Sequence, residues 1–306
     1  MEDRLRKFAK VVEAKGVTAA AREMHISQPA LSTSLHKLER ELKTPLFRKA
    51  GRGLEVTAAG WKVYQTAVAV RAQLQDLTVA VAALGNQKPR FRLGMIDSLA
   101  ELLCIKGTLL QELEQSANIS LDVNNSAYLQ IAVGEGRLDL VLVAGKPSRL
   151  AAALQATLVG VEPLVLVTHP ARLAKLLPQV NQGRIPDFLA YNPASNTFRL
   201  VASHLAAHKL QPAAVFYSTS PEVILQLVRA NRGVAALPLQ MIAQQLRAGN
   251  LCIAPVRSPL VGRPIVAIRQ SGRNSSVSES RCLEFAAQAL VRLNNTAAAI
   301  VQAQAT

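Results

Sequence analysis

Leu5, Phe8, Val11 and Val12 recur at helical spacing across residues 2–14 and mark one face of a short helix. Gly16 ends that pattern, and Thr18 is the expected N-cap of a second helix whose apolar side is Ala20, Ala21 and Met24. His25 and Ile26 form a turn. Ser27 then caps a third helix with Pro29 in its first turn, where a missing N–H does no harm. Leu31, Leu35, Leu38 and Leu42 form its buried stripe, and the opposite face carries Gln28, Ser32, Thr33, His36, Lys37 and Arg40. Leu46 and Phe47 return to the core. Arg48, Lys49, Gly51, Arg52 and Gly53 then make a cationic tip between two short strands, a wing.

From residue 58 to 84 the pattern is one long helix. Trp61, Tyr64, Val68, Leu74, Leu77, Val81 and Leu84 share a side that only Arg71 interrupts. Nothing local covers that side, so packing against a second chain is expected. Gly85-Asn86-Gln87-Lys88-Pro89 is a stop and a hinge. Beyond it, apolar runs at 91–95, 119–123 and 138–143 alternate with helical runs through Leu103 and Leu113 and around 129–133. Strands that do not alternate, separated by helices, predict a parallel sheet covered on both faces. A second set follows: strands at 163–168, 188–191, 214–217 and 235–237, with helices at 170–178, 197–208 and 221–230. One more strand, 265–268, and an amphipathic helix at 277–293 complete a two-lobed α/β unit of the kind that binds ligands. Residues 297–306 are expected to fray.

The predicted fold class is therefore α+β multidomain. A winged helix-turn-helix spans 1–58, a linker helix and hinge 59–87, and a ligand-binding domain 88–306. Within the last, lobe I takes about 88–161 and 266–296, and lobe II about 162–265.

Composition sharpens this picture at a few points. Lys and Arg number 35 against 20 Asp and Glu, for a net charge of +15, which favours nucleic acid or another polyanion as partner. The excess is spread along the chain: +5 in residues 1–58 and +9 in 88–306. Either the whole molecule sits in the field of DNA, or the second part handles an anionic ligand. Cys104, Cys252 and Cys282 have no metal-like spacing and make no disulfide framework, so an intracellular, cytoplasmic setting is expected. The opening MEDRLRKFAK has no apolar core of a secretory signal, and no uncharged run reaches transmembrane length.

An ordered set of residues carries a family resemblance. Thr18, Ala20-Ala21, Met24, Ser27-Gln28-Pro29, Ser32, Leu38-Glu39, Leu46-Phe47, Lys49 and Thr57 with Gly60 reproduce the N-terminal signature of LysR-type transcriptional regulators. Weaker matches follow at Ser98, Asn125-Ser126, Gly136-Arg137-Leu138-Asp139, His169-Pro170, Gly233-Val234 and Leu237-Pro238. The resemblance implies a winged helix, a dimerising linker helix and a periplasmic-binding-protein-like effector domain. It also implies a homodimer, usually assembled further to a homotetramer, that responds to a small-molecule effector held between the lobes, with no prosthetic cofactor. Four departures stand out: Lys43, Asn124 and Asn231 replace glycines, and Asp97 replaces Pro or an apolar residue. Asn tolerates left-handed backbone, so both Asn substitutions are compatible with the turns. If Asp97 points into the cleft, it repels a carboxylate.

The expected DNA-facing residues are Thr18, Ser27, Gln28, Pro29, Ser32, Thr33, His36 and Lys37, with Arg48, Lys49 and Arg52 of the wing reaching phosphate or the minor groove. The expected effector residues are Ser98, Asn125, Ser126, Ser195, Asn196 and Thr197, at strand-to-helix junctions where helix N-termini converge. The bland alternative is that they are helix caps. No nucleophile elbow, phosphate loop, dinucleotide glycine pattern or zinc-protease motif is present, and an enzyme is not expected. His204 and His208, one turn apart, lack a third ligand for a metal, and an isolated Cys104 reads as a small hydrophobe. The competing function is a small-molecule binding module whose head serves assembly. Salt-dependent, sequence-specific binding to a palindromic duplex distinguishes the regulator from it.

Overall fold

The computed structural model of the protein describes residues 1–14, 16–50, 53–84, 88–145, 150–151 and 153–305. Arg52 of the wing tip and residues 85–87 of the expected hinge lie outside the described residues.

The head consists of α1 (Glu2–Glu13), α2 (Val17–Glu23), α3 (Gln28–Leu42) and a hairpin of β1 (Phe47–Ala50) with β2 (Gly53–Val56). Phe8, Val11, Ala20, Ala21, Leu31, Leu35, Leu38 and Leu46 form one closed core. Leu42 does not join it: at the last turn of α3 it is 36% exposed. Gly16, not Thr18, is the N-cap of α2, which begins two residues earlier than expected. Thr18 is inside the first turn, and its Oγ1 donates to Gln28 Oε1 at 3.2 Å. Lys43, standing where glycine was expected, closes α3 in the left-handed region with φ 51°. The backbone there is the one glycine adopts freely, which explains the usual residue and identifies Lys43 as a strained substitute.

Several signature residues fasten the wing to the helices. Glu39 Oε1 accepts from the backbone N–H of Leu46 at 2.8 Å and of Phe47 at 3.3 Å. Thr57 Oγ1 donates to Pro45 O and accepts from Gly60 N, both at 2.9 Å, and so caps the next helix, α4 (Ala58–Leu84). A Cβ on Gly60 would lie 2.3 Å from Leu46 O, so only glycine lets α4 dock this closely. Val68 is buried, whereas Trp61, Leu77 and Val81 along α4 are half exposed or more. Arg71, the break in the apolar stripe, reaches Glu13 of α1 at 3.5 Å.

The rest is one nine-stranded sheet. β3 (Arg90–Met95), β4 (Asn118–Val123) and β5 (Leu140–Ala144) are parallel, with α5 (Asp97–Ala100), a π-helical continuation Glu101–Ile105, α6 (Leu109–Glu114) and α7 (Ser126–Gly134) between them. β6 (Leu154–Thr168) leads to a 3-10 turn, α8 (Leu173–Asn181), β7 (Arg184–Tyr191), α9 (Asn196–Ala207), β8 (Gln211–Ser218), α10 (Pro221–Arg229), β9 (Val234–Pro238), α11 (Leu239–Arg247) and β10 (Cys252–Ile253). β11 (Leu260–Gln270) and α12 (Val277–Ala305) close the chain. The strand order is β4-β3-β5-β11-β6-β9-β7-β8, with β10 on β6.

Three features differ from the sequence expectation. β6 and β11 are long antiparallel strands that run through both lobes as one ribbon, where two separate α/β units were expected. The first half of β6 is exposed, so it lacks the apolar run that marks a buried strand. α11 has no counterpart among the expected elements, although Leu239, Ile242 and Leu246 are buried at helical spacing. The tail does not fray at residue 297: α12 continues to Ala305 with Ala297 2% exposed, as an alanine-rich segment with a packing surface will. Among the described residues no helix is long and apolar enough to cross a membrane.

Candidate functional site

Two surfaces answer to the residues singled out above. On the head, the Ser27 hydroxyl accepts from Ala30 N at 3.4 Å and sets the start of α3. Gln28, Pro29, Thr33, His36 and Lys37 are exposed on that helix and Ser32 is half-buried, while Leu31 and Leu38 are fully buried behind them. Thr18 and Ser27, both exposed, lie at its N-terminal end. His36 Nδ1 is 3.2 Å from Glu39 Oε2, tying the ring back to its own helix. On the wing, Arg48 pairs with Glu55 directly across the hairpin, Nη2 to Oε2 at 2.8 Å, so part of its charge is offset. Lys49 lies in β1 with its side chain outside the described part, as is all of Arg52.

The second surface is a cavity of about 450 Å³ between the lobes. All six expected effector residues line it: Ser98, Asn125 and Ser126 from one lobe, Ser195, Asn196 and Thr197 from the other. The capping alternative also describes two of them. Asn125 Oδ1 accepts from Tyr128 N at 3.0 Å and Ser195 Oγ accepts from Phe198 N at 3.0 Å, so each caps its helix beside the cavity. Ser126 Oγ accepts from Ala144 N at 3.1 Å and holds the end of β5. Asn196 Nδ2 reaches across the cleft to Ala144 O at 3.2 Å. The adjoining Gly145 has φ 76°, and a Cβ on it would meet the Asn196 Cβ at 2.7 Å.

Beneath the cavity, reached from it through Arg263, lies a buried polar group that sequence reasoning missed. Glu162 on β6 and Arg263 on β11 are direct cross-strand partners on the shared ribbon. Arg263 Nε donates to Glu162 Oε2 at 2.8 Å, and its Nη2 contacts the same oxygen. The guanidinium also donates to Ser98 Oγ at 2.8 Å and Thr197 Oγ1 at 3.2 Å, so one side chain holds a hydroxyl from each lobe. Gln240 of α11 donates to Ser98 O at 2.9 Å and to Glu162 Oε1. Glu162 and Arg263 are 0% and 5% exposed. The available signal was two charges of opposite sign, Glu162 and Arg263, each just ahead of an expected apolar strand, a position rarely buried unless paired.

Above this group, Asp97 and Arg199 line opposite walls and are exposed. Tyr191 borders the cavity from β7, and its buried hydroxyl has no hydrogen-bond partner among the described residues. Asn124 is not left-handed; its Oδ1 accepts from Asn125 N at 3.0 Å. Asn231 does take left-handed backbone, φ 58°.

Other candidates lead away from chemistry. Burial pushes the Cys104 thiol up to about 11 and, together with the neighbouring Cys104 and Glu279, the Cys282 thiol to about 12. His204 and His208 stack at 4.4 Å and bond to backbone carbonyls. Among the described residues no group of three or more His, Cys, Asp or Glu is placed to hold a metal.

Residues 3–61 match the family described as bacterial regulatory helix-turn-helix protein, lysR family, and residues 84–291 match the LysR substrate binding domain. The HTH-type transcriptional activator AaeR of Escherichia coli K12 is 26% identical over 269 residues, covering 87% of this chain and 86% of its own. ArgP from Mycobacterium tuberculosis superposes with a TM-score of 0.67 at 18% identity, over 94% of this chain and 96% of its own. Vibrio fischeri DarR, solved in complex with DNA, superposes with a TM-score of 0.51 at 20% identity, over 94% and 98%. A helix-turn-helix head, a linker helix and a two-lobed α/β domain, matched by family along nearly the whole chain, place this protein in the LysR family of DNA-binding transcriptional regulators with an effector-binding domain.

Proposed function

We propose that α3 is the helix that enters the major groove, with Gln28, Ser32 and Thr33 at base edges and His36 and Lys37 towards phosphate. Thr18, Ser27 and the N–H groups around Pro29 hold the backbone at the helix start. Arg48, Lys49 and Arg52 of the wing supply phosphate or minor-groove contacts, Arg48 after exchanging Glu55 for phosphate. The observation that carries this reading is the division of α3 into buried leucines and an exposed polar face.

On this reading residues 1–58 bind DNA, 59–87 dimerise and 88–306 bind the effector, lobe II being roughly 162–265. The exposed Trp61, Leu77 and Val81 on α4 pack against the same helix of a second chain, and pairs of dimers form a tetramer. The protein works in the cytoplasm. Its small-molecule effector occupies the cleft over Ser98, Asn125 and Ser126 on one side and Ser195, Asn196 and Thr197 on the other, and no cofactor is required. Because the Asn196–Ala144 contact and the bonds of Arg263 to Ser98 and Thr197 both link the lobes, a ligand that prefers one lobe angle shifts the equilibrium between two dimer spacings on DNA.

The test is selection of bound duplexes from a random pool, followed by fluorescence anisotropy across a salt series. Replacing Gln28, Ser32 and Lys37 together by alanine should abolish preference for the selected dyad, and removal of Lys37 alone should lower the salt slope by about 1. Parent-like specificity in the triple variant would sink the assignment of α3.

A further inference from the structure

The charges that line the cleft are arranged by lobe. Among the described residues only Asp97, Arg199 and Arg263 bring charged side chains to the cavity. Arg263 is already committed within the protein, because Glu162 neutralises it and Ser98 and Thr197 accept from two further N–H groups. Asp97 and Arg199 are left. Asp97 begins α5 on one wall, and its carboxylate has no ion pair among the described residues. Arg199 lies in the first turn of α9 on the other wall, bonded only to the neutral Asn196 amide among the described residues.

The surroundings reinforce the same polarity. α9 is twelve residues long with no acidic residue in its first turn, so its N-terminal N–H groups add positive potential beside Arg199. Tyr191, on that lobe, borders the cavity, and its buried hydroxyl has no partner among the described residues. Burial keeps the phenol protonated, so it stands ready to donate to an acceptor. At the opposite wall Asp97 offsets the positive end of its own short helix and presents a carboxylate that repels anions. A simple organic acid satisfies lobe II and is opposed by lobe I. A molecule with both an ammonium and a carboxylate satisfies the two walls together.

We infer that the effector is zwitterionic, an α-amino acid or close derivative, with its carboxylate held by Arg199, Tyr191 and the start of α9 and its ammonium by Asp97. This rests on the cleft being the effector site, as proposed above. A ligand bridging the walls in this way has a reason to draw them together, since each of its charged ends is anchored on a different lobe.

The experiment uses the full chain in thermal-shift and calorimetric titrations. The probes are the twenty proteinogenic amino acids, each paired with the carboxylic acid lacking its amino group and the amine lacking its carboxylate. At least one amino acid should raise the melting temperature while neither partner of the same skeleton does. D97N and R199Q, both at exposed positions, should fold like the parent, and each should weaken that amino acid at least tenfold. D97N should in addition narrow the gap between the amino acid and its amine-free acid. Stabilisation by an amine-free acid equal to that of its amino acid, no stabilisation by any amino acid, or unchanged binding in both variants each overturns the inference. An amine-free acid that binds and alters DNA affinity leaves the cleft as the effector site and removes only the zwitterion. An amino acid that binds through Asp97 and Arg199 but leaves DNA affinity unchanged supports the zwitterion and removes the regulatory reading of the cleft.

Discussion

Removing one member of the Glu162–Arg263 pair should cost far more than removing both. Glu162 is 0% exposed and Arg263 5%, so neither charge has water to fall back on. In Glu162→Leu the guanidinium keeps its hydroxyl partners Ser98 and Thr197 but loses its only counter-ion among the described residues. Stranding one charge of a buried pair costs about 3–5 kcal/mol. For a domain of this size, where 1 kcal/mol moves the midpoint by roughly 2–4 °C, that is a fall of about 6–20 °C. Arg263→Met should behave similarly, with the buried Glu162 carboxylate left against Gln240 alone. The double variant Glu162→Leu/Arg263→Met has no buried charge at this site and loses the hydrogen bonds to Ser98 and Thr197 and the one from Gln240 to Glu162, about 1 kcal/mol each. It should therefore melt above either single variant. Thermal unfolding of the four proteins followed by far-UV circular dichroism reads the cycle directly. Single variants within about 2 °C of the parent, by the same conversion, or a double variant that falls by the sum of the two, would refute the claim that the pair is a buried, mutually dependent unit.

Gly60→Ala drives a Cβ to 2.3 Å from Leu46 O, which backbone must yield to accommodate. Overpacking of this kind costs about 1–3 kcal/mol, and because it levers α4 from the wing, duplex affinity should fall while binding in the cleft, measured by calorimetry, holds. Asp139, buried against Arg92 and Arg273 at 2.7 Å each, is pushed up by burial but held lower overall by those two guanidinium groups. A lowered folded value means its stabilisation is present above the ordinary aspartate value of 3.8 and is lost as pH falls below it, so Asp139→Asn should flatten the acid limb of the melting-temperature profile. Cys104 and Cys252, both raised to about 11 by burial, should be alkylated by iodoacetamide at pH 8 about 100-fold more slowly than a free thiol, as mass spectrometry will show; rapid labelling of Cys104 would refute its reading as a buried small hydrophobe.

The head and the linker were largely legible from the chain alone. Leu31, Leu35 and Leu38 at helical spacing, Ser27 with Pro29 behind it, and Leu46-Phe47 before a cationic turn are local instructions, and a small helical core realises them in sequence order. The same holds for the three parallel strands, the third an unbroken apolar run, and for the six polar residues at strand-to-helix junctions, since a parallel sheet delivers every such junction to one edge. Tertiary structure decided the remainder. Leu42 points out because α3 ends at a left-handed Lys43 before the leucine finds a neighbour, and Ala297 is buried because α12 finds a surface where the sequence shows only small residues. The pairing of Glu162 with Arg263 links positions 101 residues apart, and no local pattern states that two strands of one ribbon bring them side by side. The opposition of Asp97 to Arg199 is of the same kind: each charge is plain in the sequence, but which wall of a cleft it occupies follows only from how two lobes close on their shared strands.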